Sequence, residues 1–291
     1  MTVIERRKAL IAIFNHTEEL CDTHPILISS VEGSLAGQTV FIGNDFQTLP
    51  LAQETDGTPA RVIVSGKRSL EAARAYAEAG KKVCVLNFAD WHLPGGWVKR
   101  GSSAQEESLC RCSTLYPCIS HPAMVEAFYE PHRSMKKEPL HILHNDDLIY
   151  TPGVTVFKSD SVVPELLPEE EWYSVDVISC AAPRLRLRSA DQKKLNLFAD
   201  VFPMKPEELI AIFSRRIRCV FEAASRNRAQ VLILGAFGCG AFRNPPEVVA
   251  QAFEQVIREY LHKFDTIEFP VFYTAKNPGN YEVFCRFITQ R

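Results

Sequence analysis

Val83-Cys-Val-Leu-Asn-Phe-Ala-Asp-Trp-His-Leu-Pro-Gly-Gly-Trp-Val-Lys-Arg-Gly-Ser-Ser-Ala-Gln-Glu-Glu107 decides how the 291-residue chain is read. Its first six residues form an almost unbroken apolar run, the pattern of a strand buried on both faces. Gly95-Gly96 and Gly101 follow, and glycines let a ligand approach the backbone closely. A helix is predicted from about Ala104 to Tyr116. Two adjacent carboxylates, Glu106 and Glu107, sit at its start, where they suit acid/base chemistry on a sugar- or phosphate-like group. Ser103-x-x-Glu106 also fits a capping box, which by itself accounts for Glu106. Glu107 is not explained that way.

Outward from this stretch, strands and helices alternate. Strands are predicted at Arg61–Val64, Lys82–Phe88, Ser174–Ala181, Gln230–Leu234 and Thr266–Tyr273. Helices are predicted at 70–79 (Ser69 as N-cap, Gly80 after the end), 122–129 (ended by Pro131), 206–224, 246–262 and 280–288. Asp147–Tyr150 and Val154–Phe157 read as two strand pieces around Thr151-Pro152-Gly153. Residues 159–173 are acidic and read as exposed. Such alternation predicts an α/β fold: a three-layer α/β/α domain with a mixed, largely parallel sheet. Before it, Val3–Leu20 has the spacing of an amphipathic helix, which Pro25 ends. Residues 25–60 read as short strands or loops, with turn signals at Glu32-Gly33, Gly43-Asn44 and Asp56-Gly57. The expected division is an N-terminal extension, 1–60, and one domain, 61–291. Asn44–Pro50 is a segment that could reach a site.

A second glycine loop, Gly235-Ala-Phe-Gly-Cys-Gly-Ala-Phe-Arg-Asn244, has the same strand–loop–helix context. Ligands of open α/β sheets sit at the carboxyl ends of the strands. Backbone N–H groups of such a turn bind phosphate without basic side chains. That suits a chain whose net charge is only −2, which carries no bulk electrostatic signal for nucleic acid or an anionic membrane. Phe242 stands where an aromatic could stack on a base. Arg184, Arg186, Arg188, Lys193 and Lys194 read as a solvated connection. The nine cysteines are odd in number and lie mostly in apolar runs, the pattern of reduced, buried thiols. Cys110, Cys112, Cys118 and His121 lack zinc-knuckle spacing, and no metal is expected. His92 is the histidine nearest the loop. Met1–Glu5 leads into a charged segment rather than a signal peptide, and no apolar run reaches membrane-span length. A monomer in cytoplasm or nucleus is expected.

Gly95-Gly96 followed by Gln105-Glu106-Glu107 resembles the Gly-Gly-Gly-x(6–8)-Gln-Glu-Glu signature of poly(ADP-ribose) glycohydrolases, and the chain is most similar to their compact microbial-type branch, a macrodomain family. Tyr150–Phe157 and Gly235–Phe242 resemble later blocks of that family in the same order, and the likeness covers about residues 60–291. The resemblance implies a fold that binds ADP-ribose and cleaves the ribose–ribose O-glycosidic bond of poly(ADP-ribose) or a related O-linked conjugate on an ADP-ribosylated macromolecule. It implies Glu107 as catalytic acid, with Glu106 positioning the ribose hydroxyls. Gly95, Gly96, Trp97 and Gln105 would lie against the substrate. Gly238, Cys239 and Gly240 would hold the diphosphate through their backbone, with Ala241 also against the substrate and Phe242 near the adenine or its ribose, and no cofactor is needed. Two positions depart from the family loop: Leu93 stands where an Asn is expected and Trp97 where a third Gly is expected. These departures raise a second reading, a non-catalytic ADP-ribose-binding module.

Overall fold

The computed structural model describes residues 2–43, 57–138, 140–275 and 278–288. Asn44–Pro50 and Asp56 of the turn signals lie outside the described residues, as do residues 289–291. A seven-stranded sheet forms the middle layer. Its strands are β1 (Thr39–Phe41), β2 (Arg61–Ser65), β3 (Val83–Phe88), β4 (Leu148–Val156), β5 (Tyr173–Cys180), β6 (Val231–Ile233) and β7 (Thr266–Pro270). The order is β1-β4-β5-β3-β6-β7-β2. β5, β3, β6, β7 and β2 run parallel, whereas β4 is antiparallel to both β1 and β5. The expected mixed, largely parallel sheet is therefore present.

β3 explains the layering. Val83 and Val85 face one core, with Phe14, Leu70, Leu109 and Leu115, while Cys84 and Leu86 face the other, with Phe213, Phe221 and Phe253. Alternation along a strand sends successive side chains to opposite faces, so a continuous apolar run needs helices on both sides. The first layer holds α1 (Val3–Thr23), α2 (Pro25–Gly37), α3 (Ser69–Glu78), α4 (Gln105–Cys112) and α5 (Leu115–Ile119). The second holds the helices Pro206–Arg226, Pro246–Tyr260 and Gly279–Phe287.

Several local expectations change. Pro25 opens α2 instead of stopping the chain, because proline at the first helical position sacrifices no intrahelical bond. Residues 25–37 are thus helical rather than strands or loops, and Gly33 lies inside the helix. β1, from the expected extension, is an edge strand of the sheet. The predicted helix 104–116 is two helices with a break at Ser113, whose side chain bonds back to the Leu109 carbonyl at 2.8 Å. Arg68, not Ser69, occupies the N-cap of α3. Helical structure continues through Pro131 to Ser134, after a π-turn at Val125–Tyr129. The two pieces around Thr151-Pro152-Gly153 are one strand, β4, with a bulge there.

α1 is tied to the domain by buried polar contacts as well as apolar ones. Lys158 Nζ donates to Ile13 O and Thr17 Oγ1 at 2.8 and 2.7 Å, and Thr17 Oγ1 donates to Arg111 O at 2.6 Å. Phe14 is fully buried, edge-on to Tyr116 with ring centroids 4.9 Å apart. Phe14→Ala is expected to destabilise the whole domain by about 3–5 kcal/mol, with α1 and the sheet still unfolding in one transition. Denaturant unfolding followed by near- and far-UV circular dichroism checks this; early loss of α1 signal alone contradicts it.

Candidate active site

The carboxyl ends of the five parallel strands meet at one cleft of about 570 Å³, within the usual size of a small-molecule site. β3 delivers the loop that leads to α4, β5 delivers Ala182 and Arg184, and β6 delivers the second glycine loop. β7 delivers Val271 and Phe272, and β2 delivers Lys67 and Arg68.

The two carboxylates come together at the first turn of α4. Both are almost fully buried, at 3% and 5% exposure for Glu106 and Glu107. Gly96 has φ +55°, and a Cβ there would lie 2.8 Å from Glu107 Oε1 and 3.1 Å from Glu106 Oε2. Only glycine lets the loop cross so closely above both oxygens without strain.

Their partners differ. Glu106 accepts the Asp90 N–H at 2.8 Å and Asn87 Nδ2 at 3.4 Å. The capping-box expectation fails, because Ala104 is the N-cap of α4 and no side chain caps it. Ser103 is one residue too early, and Glu106 is free to turn toward β3. Glu107 Oε1 accepts the Trp97 N–H at 3.0 Å, while Oε2 is buried with no hydrogen-bond partner among the described residues. Burial, with the charge of Asp90 and then that of Glu107 adding to it, pushes Glu106 well above the ordinary carboxylate value of 4.5, against the Asp90 N–H and the Asn87 amide.

Gln105 lines the cleft, but its amide is occupied by the fold. Oε1 accepts Phe88 N–H at 2.9 Å, and Nε2 donates to Leu86 O at 2.8 Å and Ser69 Oγ at 3.1 Å. It staples α4 to β3 and α3. Gly95 lies beside the cleft lining, where a Cβ would strike Tyr116 at 2.7 Å. Trp97 is on the rim, 40% exposed, with the Arg100 guanidinium 4.4 Å over its ring. Leu93 is exposed and lines neither this cleft nor its neighbour.

In the second loop, Gly238, Gly240, Ala241 and Phe242 line the cleft. Gly238 has φ +75°, and a Cβ would lie 2.5 Å from Ala182 Cβ. The N–H groups of Gly238, Gly240, Ala241 and Phe242 have no acceptor among the described residues, whereas those of Cys239, Arg243 and Asn244 bond within the loop. Four N–H groups without an acceptor in one turn are the pattern found in anion-binding nests. The Cys239 thiol faces away, 3.8 Å from Phe237 O, and burial raises its pKa beyond reach of neutral pH.

The sequence missed two features. Arg184, Arg186 and Arg188 line the cleft rather than a solvated connection, and Arg184 is 7% exposed. Phe272, beyond the end of β7, lines the cleft half-exposed, with Arg68 4.1 Å over its ring. His92 stands off the cleft; burial, with nearby Lys136, pushes its pKa down to about 3, so it is neutral at working pH. Among the described residues no cluster of His, Cys, Asp or Glu fits a metal ion, and no helix is long and apolar enough to cross a membrane.

Two glycine loops and a carboxylate pair thus build one cleft at the carboxyl edge of a mixed sheet, the arrangement of a small-molecule hydrolase site. The family model described as microbial-type PARG, catalytic domain, matches residues 15–159. The poly(ADP-ribose) glycohydrolase of Thermomonospora curvata is 30% identical, with TM-score 0.79, covering 97% of this chain and 100% of its own. The same enzyme bound to the inhibitor ADP-HPD is 30% identical, with TM-score 0.77 and coverage of 96% and 99%. The Deinococcus radiodurans enzyme in complex with ADP-ribose is 28% identical, with TM-score 0.73 and coverage of 88% and 96%. No curated protein matches in sequence. The chain belongs to the microbial-type poly(ADP-ribose) glycohydrolase family, a family of glycoside hydrolases.

Because Glu106 keeps its proton longer in the folded state, the unfolded chain releases it first as pH rises through 4.5, and stability falls over that window. Glu106→Gln removes this loss. Its stability advantage over the natural chain is expected to grow between about pH 4 and about pH 7, as read by urea unfolding. An advantage that shrinks with rising pH contradicts the burial account.

Proposed function

We propose that the chain hydrolyses the ribose–ribose O-glycosidic bond of poly(ADP-ribose), with Glu107 as the catalytic acid and base. The observation that carries this reading is the buried Oε2 of Glu107, which has no hydrogen-bond partner among the described residues, on a side chain that lines the cleft. A proton on that oxygen passes to the leaving 2′-oxygen as the anomeric C–O bond breaks. The resulting carboxylate then takes a proton from water, which attacks the oxocarbenium-like centre. The hydroxyl group freed on the anomeric carbon and the proton restored to Glu107 complete the cycle. The Trp97 N–H holds the other oxygen and fixes the rotamer. Glu106, which burial holds toward its protonated form, hydrogen-bonds the ribose hydroxyls and positions the ring.

The remaining groups fit the rest of ADP-ribose. The free N–H groups from Gly238 to Phe242 suit the diphosphate. At the far end of the cleft, Phe272 beside Lys67 and Arg68 suits the adenine, since an exposed aromatic stacks on a base. Phe242, expected beside the adenine or its ribose, lines both the cleft and a neighbouring cavity. The relatives whose structures contain ADP-ribose or ADP-HPD support this ligand class.

The competing reading is a reader that binds ADP-ribose without turnover, motivated by Leu93 and Trp97. Leu93 lies off the cleft lining, and the hydrogen bond from Trp97 to Glu107 comes from its backbone N–H, not its indole. Neither side chain displaces the carboxylates.

Glu107→Gln is expected to lower release of ADP-ribose from the polymer by about 10²–10⁴-fold while leaving the Kd for ADP-ribose within about threefold. Chromatography of the products and calorimetry read the two quantities. Binding by the natural chain without any release selects the reader. Trp97→Ala keeps the backbone donor, so kcat is expected to stay within about threefold; a collapse of kcat would assign the indole a part in the chemistry.

A further inference from the structure

A second cavity of about 300 Å³ opens beside the cleft. The two share Asp90, Arg184, Arg188 and Phe242 as walls. The Asp90 N–H is the one that Glu106 accepts, so the cavity begins one residue away from the carboxylate pair. Trp91, stacked between His132 and His144 at 4.4 and 4.6 Å, forms part of the wall.

Its charge is unbalanced. Lys136, Arg184, Arg188 and Lys194 face Asp90 and Asp191, four cations against two carboxylates. Asp191 is occupied by Arg184 at 2.9 Å and by the His141 ring at 3.4 Å. Asp90 Oδ1 already accepts the His92 and Leu93 N–H groups at 2.8 and 3.0 Å. Among the described residues, Lys194 Nζ bonds to carbonyls alone, those of Lys136 and Glu138, at 2.7 and 2.8 Å. The Lys136 ammonium and the Arg188 guanidinium have no carboxylate partner among the described residues, although the Arg188 backbone N–H bonds to Asp191 at 2.9 Å. Burial keeps His92 and His144 uncharged, so they line the cavity as neutral groups. A concave site with an excess of unspent cations, anchored on a buried Arg184, fits an anion with several acceptor oxygens. With about half the volume of the cleft, it suits a diphosphate group rather than a whole second ADP-ribose unit.

We propose that this side cavity is a leaving-group subsite that holds the diphosphate of the next unit in an ADP-ribose chain. It selects substrates whose leaving group carries phosphate. The proposal rests on the glycohydrolase reading of the main cleft. Phe242, 5.9 Å from the His144 ring, is the ridge over which the linkage passes.

The test uses the full chain carrying Glu107→Gln, with ADP-ribose and di(ADP-ribose) as probes in calorimetry. The dimer is expected to bind about tenfold more tightly. Lys136→Glu added to that chain is expected to abolish the difference and to leave the ADP-ribose Kd within about twofold. In the active chain, Lys136→Glu is expected to raise KM for short oligomers about three- to tenfold at constant kcat. It should leave unchanged the hydrolysis of ADP-ribose joined at its anomeric carbon to an uncharged phenol. Equal affinity for monomer and dimer, or an equal loss on both substrates, overturns the subsite. Failure of ADP-ribose itself to bind overturns the main-cleft reading and the subsite with it.

Discussion

Two adjacent carboxylates, both nearly out of water and packed so close under Gly96 that a Cβ there would meet an oxygen of each at 2.8 and 3.1 Å, are the costly arrangement that the rest of the molecule supports. Adjacent residues on a helix point about 100° apart, so the pair can converge only at the irregular start of α4. Each carboxylate is held by a backbone N–H from the loop that precedes the helix, Asp90 for Glu106 and Trp97 for Glu107. Those two donors are close enough only because Gly95 and Gly96 both adopt positive φ. The loop and the helix thus fix each other. Gln105 fixes both to the sheet by bonding to the β3 backbone at Phe88 and Leu86.

α1 closes this assembly from outside. Arg7 Nε donates to Arg100 O at 2.6 Å, and Lys99 pairs with Glu18 at 3.0 Å. Arg111, from α4, donates to Leu10 O and to Ser102 O. The first helix therefore grips the first glycine loop near residues 99–102 and the helix that carries the glutamates. Exposed ion pairs such as Lys99–Glu18 contribute little stability, so their effect here is on loop position. Buried Phe14 and the Lys158–Thr17 contact hold α1 in place. A segment that looks like an appendage in the sequence is part of the support for the site.

Strand–loop–helix order, the two glycine loops and the carboxylate pair were legible in the sequence, because each depends on local pattern. What escaped depends on non-local placement. Ser103-x-x-Glu106 satisfies the capping-box spacing, yet the helix begins at Gln105 and Glu106 bonds to β3 instead; spacing alone does not fix where a helix starts. Pro25 is as consistent with opening a helix as with ending one. Arg184, Arg186 and Arg188 form a charge run that resembles a solvated linker. Only the neighbouring of β5 and β3 in the sheet brings that run to the cleft. Phe272 read as a continuation of β7, because an aromatic fits a strand as well as a stacking platform. Charge at the site is likewise invisible in a net charge of −2, since the fold gathers Lys67, Arg68 and three arginines at one edge.

The central claim is that Glu107 Oε2 meets the anomeric oxygen of the distal ribose while the free N–H groups of the second glycine loop hold the diphosphate. A crystal structure of the Glu107→Gln chain with di(ADP-ribose) tests it most directly. The account predicts the glycosidic oxygen within about 3 Å of the residue-107 amide and diphosphate oxygens against the N–H groups of Gly238 to Phe242. A ligand whose ribose–ribose linkage lies away from residue 107, or whose diphosphate lies away from that loop, would contradict it.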